Sequence, residues 1–203
     1  MGWNRIGEAK PNAGHFALAT AEQNGRVTSL ITQNVDQLHQ KAGSKTVIDL
    51  HGRLDHVKCT ECGLQISRSQ MDEMLTAANP MVVKDIEIEF TPDGDAEIEA
   101  TEGFVVPPCP NCGGILKPDV VFFGESVPRD RVELAMQRLD QAEALLVAGT
   151  SLAVNSGLRF ARRAAKAGIP IVIVNIGPTR ADELALAKIE ANTSAVLERL
   201  LNV

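Results

Sequence analysis

No apolar run in the 203 residues is long enough to cross a bilayer: the longest, 144–149 and 169–174, fall far short of the roughly 20 residues a spanning helix needs. The start, Met1-Gly2-Trp3-Asn4-Arg5-Ile6, lacks the apolar core of a signal peptide, and Ile6 stands where a myristoylation motif wants Ser or Thr. The expectation is a cytoplasmic protein, with the mitochondrial matrix as the alternative for a chain that carries a further targeting segment. Basic charge is also in deficit, with 20 Lys and Arg against 26 Asp and Glu. That speaks against nucleic-acid and anionic-membrane partners. Repeats and low-complexity tracts are missing. With 44% hydrophobic and 23% charged residues, the composition excludes disorder, collagen and coiled coil, and leaves an ordinary globular chain. Cysteines number only four, in two close pairs, and in a reducing compartment such pairs point to metal before disulfide.

What is present alternates. A helix is expected over 12–24, stopping at Gly25, followed by a strand at 27–32 and a polar turn, Gln33-Asn34-Val35-Asp36. A second strand at 46–50 closes at His51-Gly52. Further on, strands at 119–123, 144–148 and 170–176 alternate with helices at 128–142 and 151–167, with Gly168 as a stop. Near-continuous Val/Ile/Leu strands between helices indicate an α/β fold with a parallel sheet covered on both faces. Between Gly52 and Lys117 the pattern changes to Cys-x-x-Cys, a helix at 67–79, an acidic hairpin and a second Cys-x-x-Cys. The reading is one domain of 1–52 plus 118–203 and an insert of 53–117. The hairpin alternates Ile86, Ile88 and Phe90 with acids, turns at Pro92-Asp93-Gly94-Asp95 and returns through Ile98. Eight carboxylates lie within 85–102 with no Lys or Arg; without them the net charge of −6 would be +2. They read as a solvated face.

Cys59, Cys62, Cys109 and Cys112, each pair followed by Gly, have the spacing of two knuckles that aim four thiolates at one tetrahedral ion. Such a zinc is closed to water and structural; the alternatives are reduced core cysteines or a redox pair. The turn carrying Gln33, Asn34 and Asp36 follows a strand, at the sheet edge where open α/β folds bind ligands, although Asn and Asp also serve as plain caps. His51 ends the next strand at the same edge, where a neutral imidazole can take a hydroxyl proton near pH 7. A hydrogen-bonded structural histidine is the bland alternative, and it is the reading for His15, His39 and His56. The turn Gly149-Thr150-Ser151 offers backbone N–H groups and hydroxyls to an anion, or merely a cap. Asn175-Ile176-Gly177 places another polar group at a strand end. Val120, Val121, Phe122 and Phe123 form an apolar exit strand able to line an extended ligand.

Taken in order, TQNVDQLH, LHG, two CxxC pairs, KPDVVFFGE, GTSL and VIVNIGPTRAD closely resemble the sirtuins, the NAD-dependent protein-lysine deacylases. The similarity runs from Trp3 to near the C-terminus, and KPDVVFFGE with NIGPTRADELALAKIE looks most like the class II branch of the mitochondrial sirtuin-four type. The resemblance implies a Rossmann-like large domain, a small zinc-binding insert, and NAD and an acyl-lysine peptide meeting in the cleft between them. It makes His51 the catalytic base. Gln33, Asn34 and Asp36 would contact the nicotinamide ribose region, while Gly149, Thr150, Ser151, Asn175, Ile176 and Gly177 would hold phosphates and adenosine. Thr193 falls near the adenine, and residues 120–123 along the substrate peptide.

One departure stands out. The family's first strand, with its Gly-Ala-Gly-x-Ser loop and the flexible stretch after it, has no counterpart in these 203 residues. That strand is central in a 3-2-1-4-5-6 sheet, so an unfilled gap is expected. The favoured explanation is truncation by start-site assignment; a partner chain supplying the strand and a degenerate relative are the others. The competing functions are mono-ADP-ribosyl transfer or lipoyl-type deacylation at the same site, and a non-catalytic zinc module that binds a partner.

Overall fold

The computed structural model describes residues 8–80, 89–90, 96–97 and 103–201. In chain order the elements are α1 (Ala13–Gln23), β1 (Leu30–Thr32), α2 (Leu38–Lys41), β2 (Val47–Asp49), β3 (Gly52–Cys59), β4 (Gln65–Ser67) and α3 (Arg68–Ala78). Then follow β5 (Glu89–Phe90), β6 (Ala96–Glu97), β7 (Leu116–Val120), α4 (Arg129–Asp140), β8 (Leu145–Ala148), α5 (Asn155–Ala167), β9 (Ile171–Val174), β10 (Ala187–Ile189) and α6 (Thr193–Leu201). Helix starts obey local chemistry. Asn12 and Ser67 each close a capping box, the first with His15 and the second with Gln70, satisfying donors that the first helical turn leaves open. Gly168 ends α5 at φ 72°, a conformation without penalty only for glycine.

Two compact units result, Gly52–Val120 and Lys10–His51 with Val121–Val203. Among the described residues of the larger unit every strand pairing is parallel, and the sheet comes in two pieces. Strands β1 and β2 form one, with Leu30 opposite Val47 and Thr32 opposite Asp49; β8, β9 and β10 form the other, with β9 in the middle. One core serves both pieces. Ile48 and Leu50 from the first pack with Val147, Ile171 and Ile173 from the second, beneath Leu139 of α4 and Leu158 of α5.

The smaller unit is antiparallel, in the order β4-β3-β7, with α3 laid against it and a core of Val57, Cys59, Met71, Cys109 and Leu116. Here one expectation is corrected. The strand anticipated at 119–123 in the parallel sheet is β7 at Leu116–Val120, the antiparallel partner of β3. Beyond Val120 the chain turns: the Phe122 N–H donates to the Glu125 carboxylate, and Gly124 takes φ 88°. The helix expected from residue 151 starts instead at Asn155. In the acidic hairpin, Glu89 pairs with Glu97 and Phe90 with Ala96. Ile86, Ile88, Ile98, the turn at 92–95 and Trp3 lie outside the described residues.

Candidate functional site

His51 stands one residue past Leu50, a fully buried anchor of the larger core, so its backbone is fixed from within. Its Nδ1 lies 3.1 Å from the Gln33 carbonyl oxygen. A carbonyl only accepts, so Nδ1 carries the proton and Nε2 holds the lone pair. That nitrogen is 2.8 Å from Ser156 Oγ, whose hydroxyl therefore donates to it. Burial lowers the His51 pKa and outweighs the opposing effect of the Gln33 carbonyl. The imidazole is thus neutral at pH 7, with one tautomer selected.

Gln33 connects this histidine to the next strand end. Its Nε2 donates to Thr150 Oγ1 at 3.1 Å, so the turns that follow β1 and β8 touch. Gly157 makes room for it, since a Cβ there would lie 2.7 Å from Gln33 Oε1. Asn34 is exposed, its N–H bonded to Thr32 Oγ1. Asp36 Oδ1 accepts the Leu38 N–H at 2.9 Å at the start of α2, so the capping alternative holds for one of its oxygens.

At the end of β8, Gly149 has φ 64°, and a Cβ on it would meet Thr193 Oγ1 at 3.5 Å. Thr193 therefore belongs spatially to the same turn. Thr150 Oγ1 also accepts from the Leu152 N–H at 3.1 Å, and Leu152 sits at φ 53°, a costly position for a branched residue. Ser151 is exposed, its carbonyl held by the Arg180 N–H. Asn175 is buried, and its Nδ2 donates to the carbonyls of Ile176 and Gly177, while Ile176 is left 69% exposed. A cavity of about 390 Å³ in this unit is lined by Gln33, Asn34, Gly149 and Thr150 at one end. Carboxamides, hydroxyls and glycine amides at the carboxyl ends of parallel strands are a donor set that suits a dinucleotide. Of the apolar exit segment, Val121 donates its N–H to the His51 carbonyl, and Phe123 is fully exposed.

In the smaller unit the four cysteine sulfurs lie within 4.8 Å of one another. Cys59 Sγ is 3.6 Å from Cys112 Sγ, and Cys62 Sγ is 3.7 Å from Cys109 Sγ. A zinc tetrahedron with 2.3 Å bonds has edges of about 3.8 Å, so the four are positioned to bind one ion. Each knuckle is tightened by a glycine at positive φ, Gly63 and Gly113, donating its N–H to the first cysteine's carbonyl. The Leu64 N–H pulls the Cys62 thiol down to about 6. Cys112 has the Gly114 N–H acting the same way, but its bonds with Cys62 and Cys59 push it up to about 12.

Ser156 and Gly157 are absent from the sequence-based site. No motif spells them out; the only signal is that they open the helix after the 149–152 turn, as small residues beside a strand end.

The Sir2 family model matches residues 2–156. An NAD-dependent protein deacetylase of Xanthomonas campestris pv. campestris is 53% identical over 199 residues, covering 97% of this chain and 68% of the relative. NAD-dependent protein deacetylase 2 of Bradyrhizobium diazoefficiens is 52% identical over 203 residues, covering 99% and 74%. Among solved structures, Sir2Tm bound to a propionylated peptide superposes with a TM-score of 0.78 at 30% identity, covering 98% of this chain and 73% of the other. A Sir2 complex with p53 peptide and NAD+ gives 0.77 at 29%, covering 98% and 72%.

Proposed function

This chain belongs to the Sir2 family, and from that premise we propose that it is an NAD-dependent protein-lysine deacylase of the class II branch, which passes the acyl group of a modified lysine to ADP-ribose and releases nicotinamide. The observation that carries the reading is His51: neutral, fixed in one tautomer, its Nε2 lone pair met among the described residues only by the Ser156 hydroxyl, beside the strand ends that also bear Gln33 and Thr150. Bound NAD supplies the electrophilic ribose carbon and the nicotinamide leaving group. His51 Nε2 takes the proton of a ribose hydroxyl, which requires the Ser156 hydroxyl to turn away from that nitrogen first. A base that remains neutral below pH 7 does this without a metal.

Gln33, Asn34 and Asp36 serve the nicotinamide ribose side. The Gly149-Thr150-Ser151 turn, with Thr193 against it and Asn175-Ile176-Gly177 at the next strand end, serves phosphates and adenosine. Residues 120–123 present an apolar edge to the acyl-lysine peptide. Zinc on Cys59, Cys62, Cys109 and Cys112 takes no part in the chemistry, because four thiolates close its coordination sphere.

The test is nicotinamide release on incubating the chain with NAD and acetylated, propionylated or longer-acyl peptides. Release that depends on the peptide and disappears in His51→Ala is expected. NAD cleavage without acyl transfer would move the reading to ADP-ribosyl transfer; zinc retention with no NAD affinity by calorimetry would reduce the chain to a binding module.

A further inference from the structure

Helix α5 begins at Asn155 although the helical pattern of the sequence reaches back to residue 151, and the cause lies in the segment after β9. A helix begun at Ser151 would commit the Ser151 carbonyl to the Asn155 N–H and the Ala153 carbonyl to the Gly157 N–H. Both acceptors meet Arg180 instead. Its backbone N–H donates to the Ser151 carbonyl at 3.0 Å, and its Nη1 to the Ala153 carbonyl at 2.6 Å. Nη1 also donates to Oδ1 of Asn155, the first residue of α5, at 3.2 Å. A single residue thus holds 151–154 out of the helix. Leu152, within that stretch, stays at φ 53°, which a branched residue keeps only where its surroundings fix it.

Arg180 can do this because its own segment is anchored. Lys188 of β10 donates to the Gly177 carbonyl at 2.9 Å and to Asp182 Oδ2 at 2.7 Å. Asp182 in turn accepts the Thr179 N–H at 3.1 Å and the Thr179 hydroxyl at 2.6 Å. The Lys188 bond first, and then those from Thr179, bring the Asp182 carboxyl down to about 2, so the buckle stays ionised through the neutral range. The Gly177 carbonyl also accepts from Asn175 Nδ2, which carries the same network to the polar end of β9. The turns after β8 and β9 are therefore joined. Gly149, Thr150 and Leu152 line the cavity and Arg180 does not, so its hold on the site runs through the turn.

We infer that Arg180 is a positioning residue for the dinucleotide: by fastening the turn after β8 to the segment after β9, it presents the two as one preformed surface. The inference rests on the reading of those turns as the phosphate and adenosine side of the site. A turn already held open avoids an ordering cost when the ligand arrives. Without Arg180, residues 151–154 are free to wind onto α5, and Ser151 gives up its exposed place. The loss falls on binding of the ADP-ribose part of the cofactor. His51 is held by Gln33 and Ser156 rather than by Arg180, so the rate at saturating NAD is kept.

The experiment is calorimetric titration of ADP-ribose into the full zinc-loaded chain and its variants. Arg180→Ala is expected to weaken ADP-ribose about tenfold, for the loss of charge-assisted bonds and of a preformed turn. Arg180→Lys keeps a charge without the planar fork that meets both acceptors, and should lose about threefold. Asn155→Ala deletes the second acceptor alone; it should lose about threefold by itself and nothing further when combined with Arg180→Ala. These two milder variants decide the matter if Arg180→Ala does not fold. In nicotinamide release, Arg180→Ala should raise the KM for NAD by the same factor and leave kcat and the peptide KM unchanged. ADP-ribose binding that is equal in the Arg180 variants and the unaltered chain overturns the inference and leaves the deacylase reading standing. So does a peptide KM that rises in step with that for NAD, the mark of general loosening. An unaltered chain that binds no ADP-ribose overturns both.

Discussion

His51 is held between an acceptor and a donor, and this arrangement makes its protonation state a measurable consequence of two neighbours. Burial holds its pKa below the usual 6.5, so nicotinamide release should rise with pH below neutrality and be flat by pH 7. Ser156→Ala removes the hydroxyl that donates to Nε2. Neutral imidazole is then less favoured, and the acid limb should move to higher pH. His51→Ala should lower the rate by roughly 10²–10⁴-fold, the usual worth of a general base. A profile from Ser156→Ala identical to that of the unaltered chain would make the contact incidental. His39 gives a stability prediction instead. Desolvation first, and then the nearby His15, lower its pKa to about 4; the two rings are 4.7 Å apart. The folded state binds this proton less readily than the unfolded one, so stability is complete above pH 6.5 and falls as pH drops from 6.5 towards 4. His39→Gln should flatten that decline, on the order of 2 kcal/mol after allowing for partial solvent access, as read from urea melts at pH 7 and pH 4.5.

Among the elements, the two knuckles bear the most on stability, because Cys59 and Cys109 are two of the five buried members of the smaller core. Removing the metal takes away a cross-link and leaves four sulfurs crowded together within a few ångströms. Cys109→Ser, or chelation, should abolish zinc by metal analysis and expose 52–120 to protease while 121–201 stays resistant, in line with metallo-domains whose binding energy is folding energy. A chain that keeps its protease pattern with no zinc would show the core sufficient by itself. These knuckles were legible in the sequence, because Cys-x-x-Cys-Gly spells out its own turn. So were α1 and α3, whose caps Asn12 and Ser67 are local signals. Strand β7 was not. The run Val120–Phe123 looks buried from composition, but Phe122 is half exposed and Phe123 wholly so, while the paired residues upstream include Lys117 and Pro118. Apolarity there does not mark burial, and no window along the chain could separate the two. The Ser156–His51 contact spans 105 residues and is likewise a property of the fold alone.

Across the whole molecule, the two cores have no buried member in common: one gathers Ile48, Leu50, Leu158 and Ile173 around the parallel strands, the other Val57, Met71 and Leu116 around the knuckles. Each is held by a different agency, apolar packing in the first and metal in the second. Calorimetry should therefore resolve two transitions. Leu158→Ala truncates a side chain with 1% exposure and should lower only the transition of the larger unit, by about 2–5 kcal/mol according to how far the cavity collapses. Chelation should lower only the other. Applied together, the two perturbations should add, because they touch no common residue. If both instead shifted one shared transition, the separation of the cores would have no thermodynamic meaning, and metal lost from the small unit would also loosen the strand ends that carry His51.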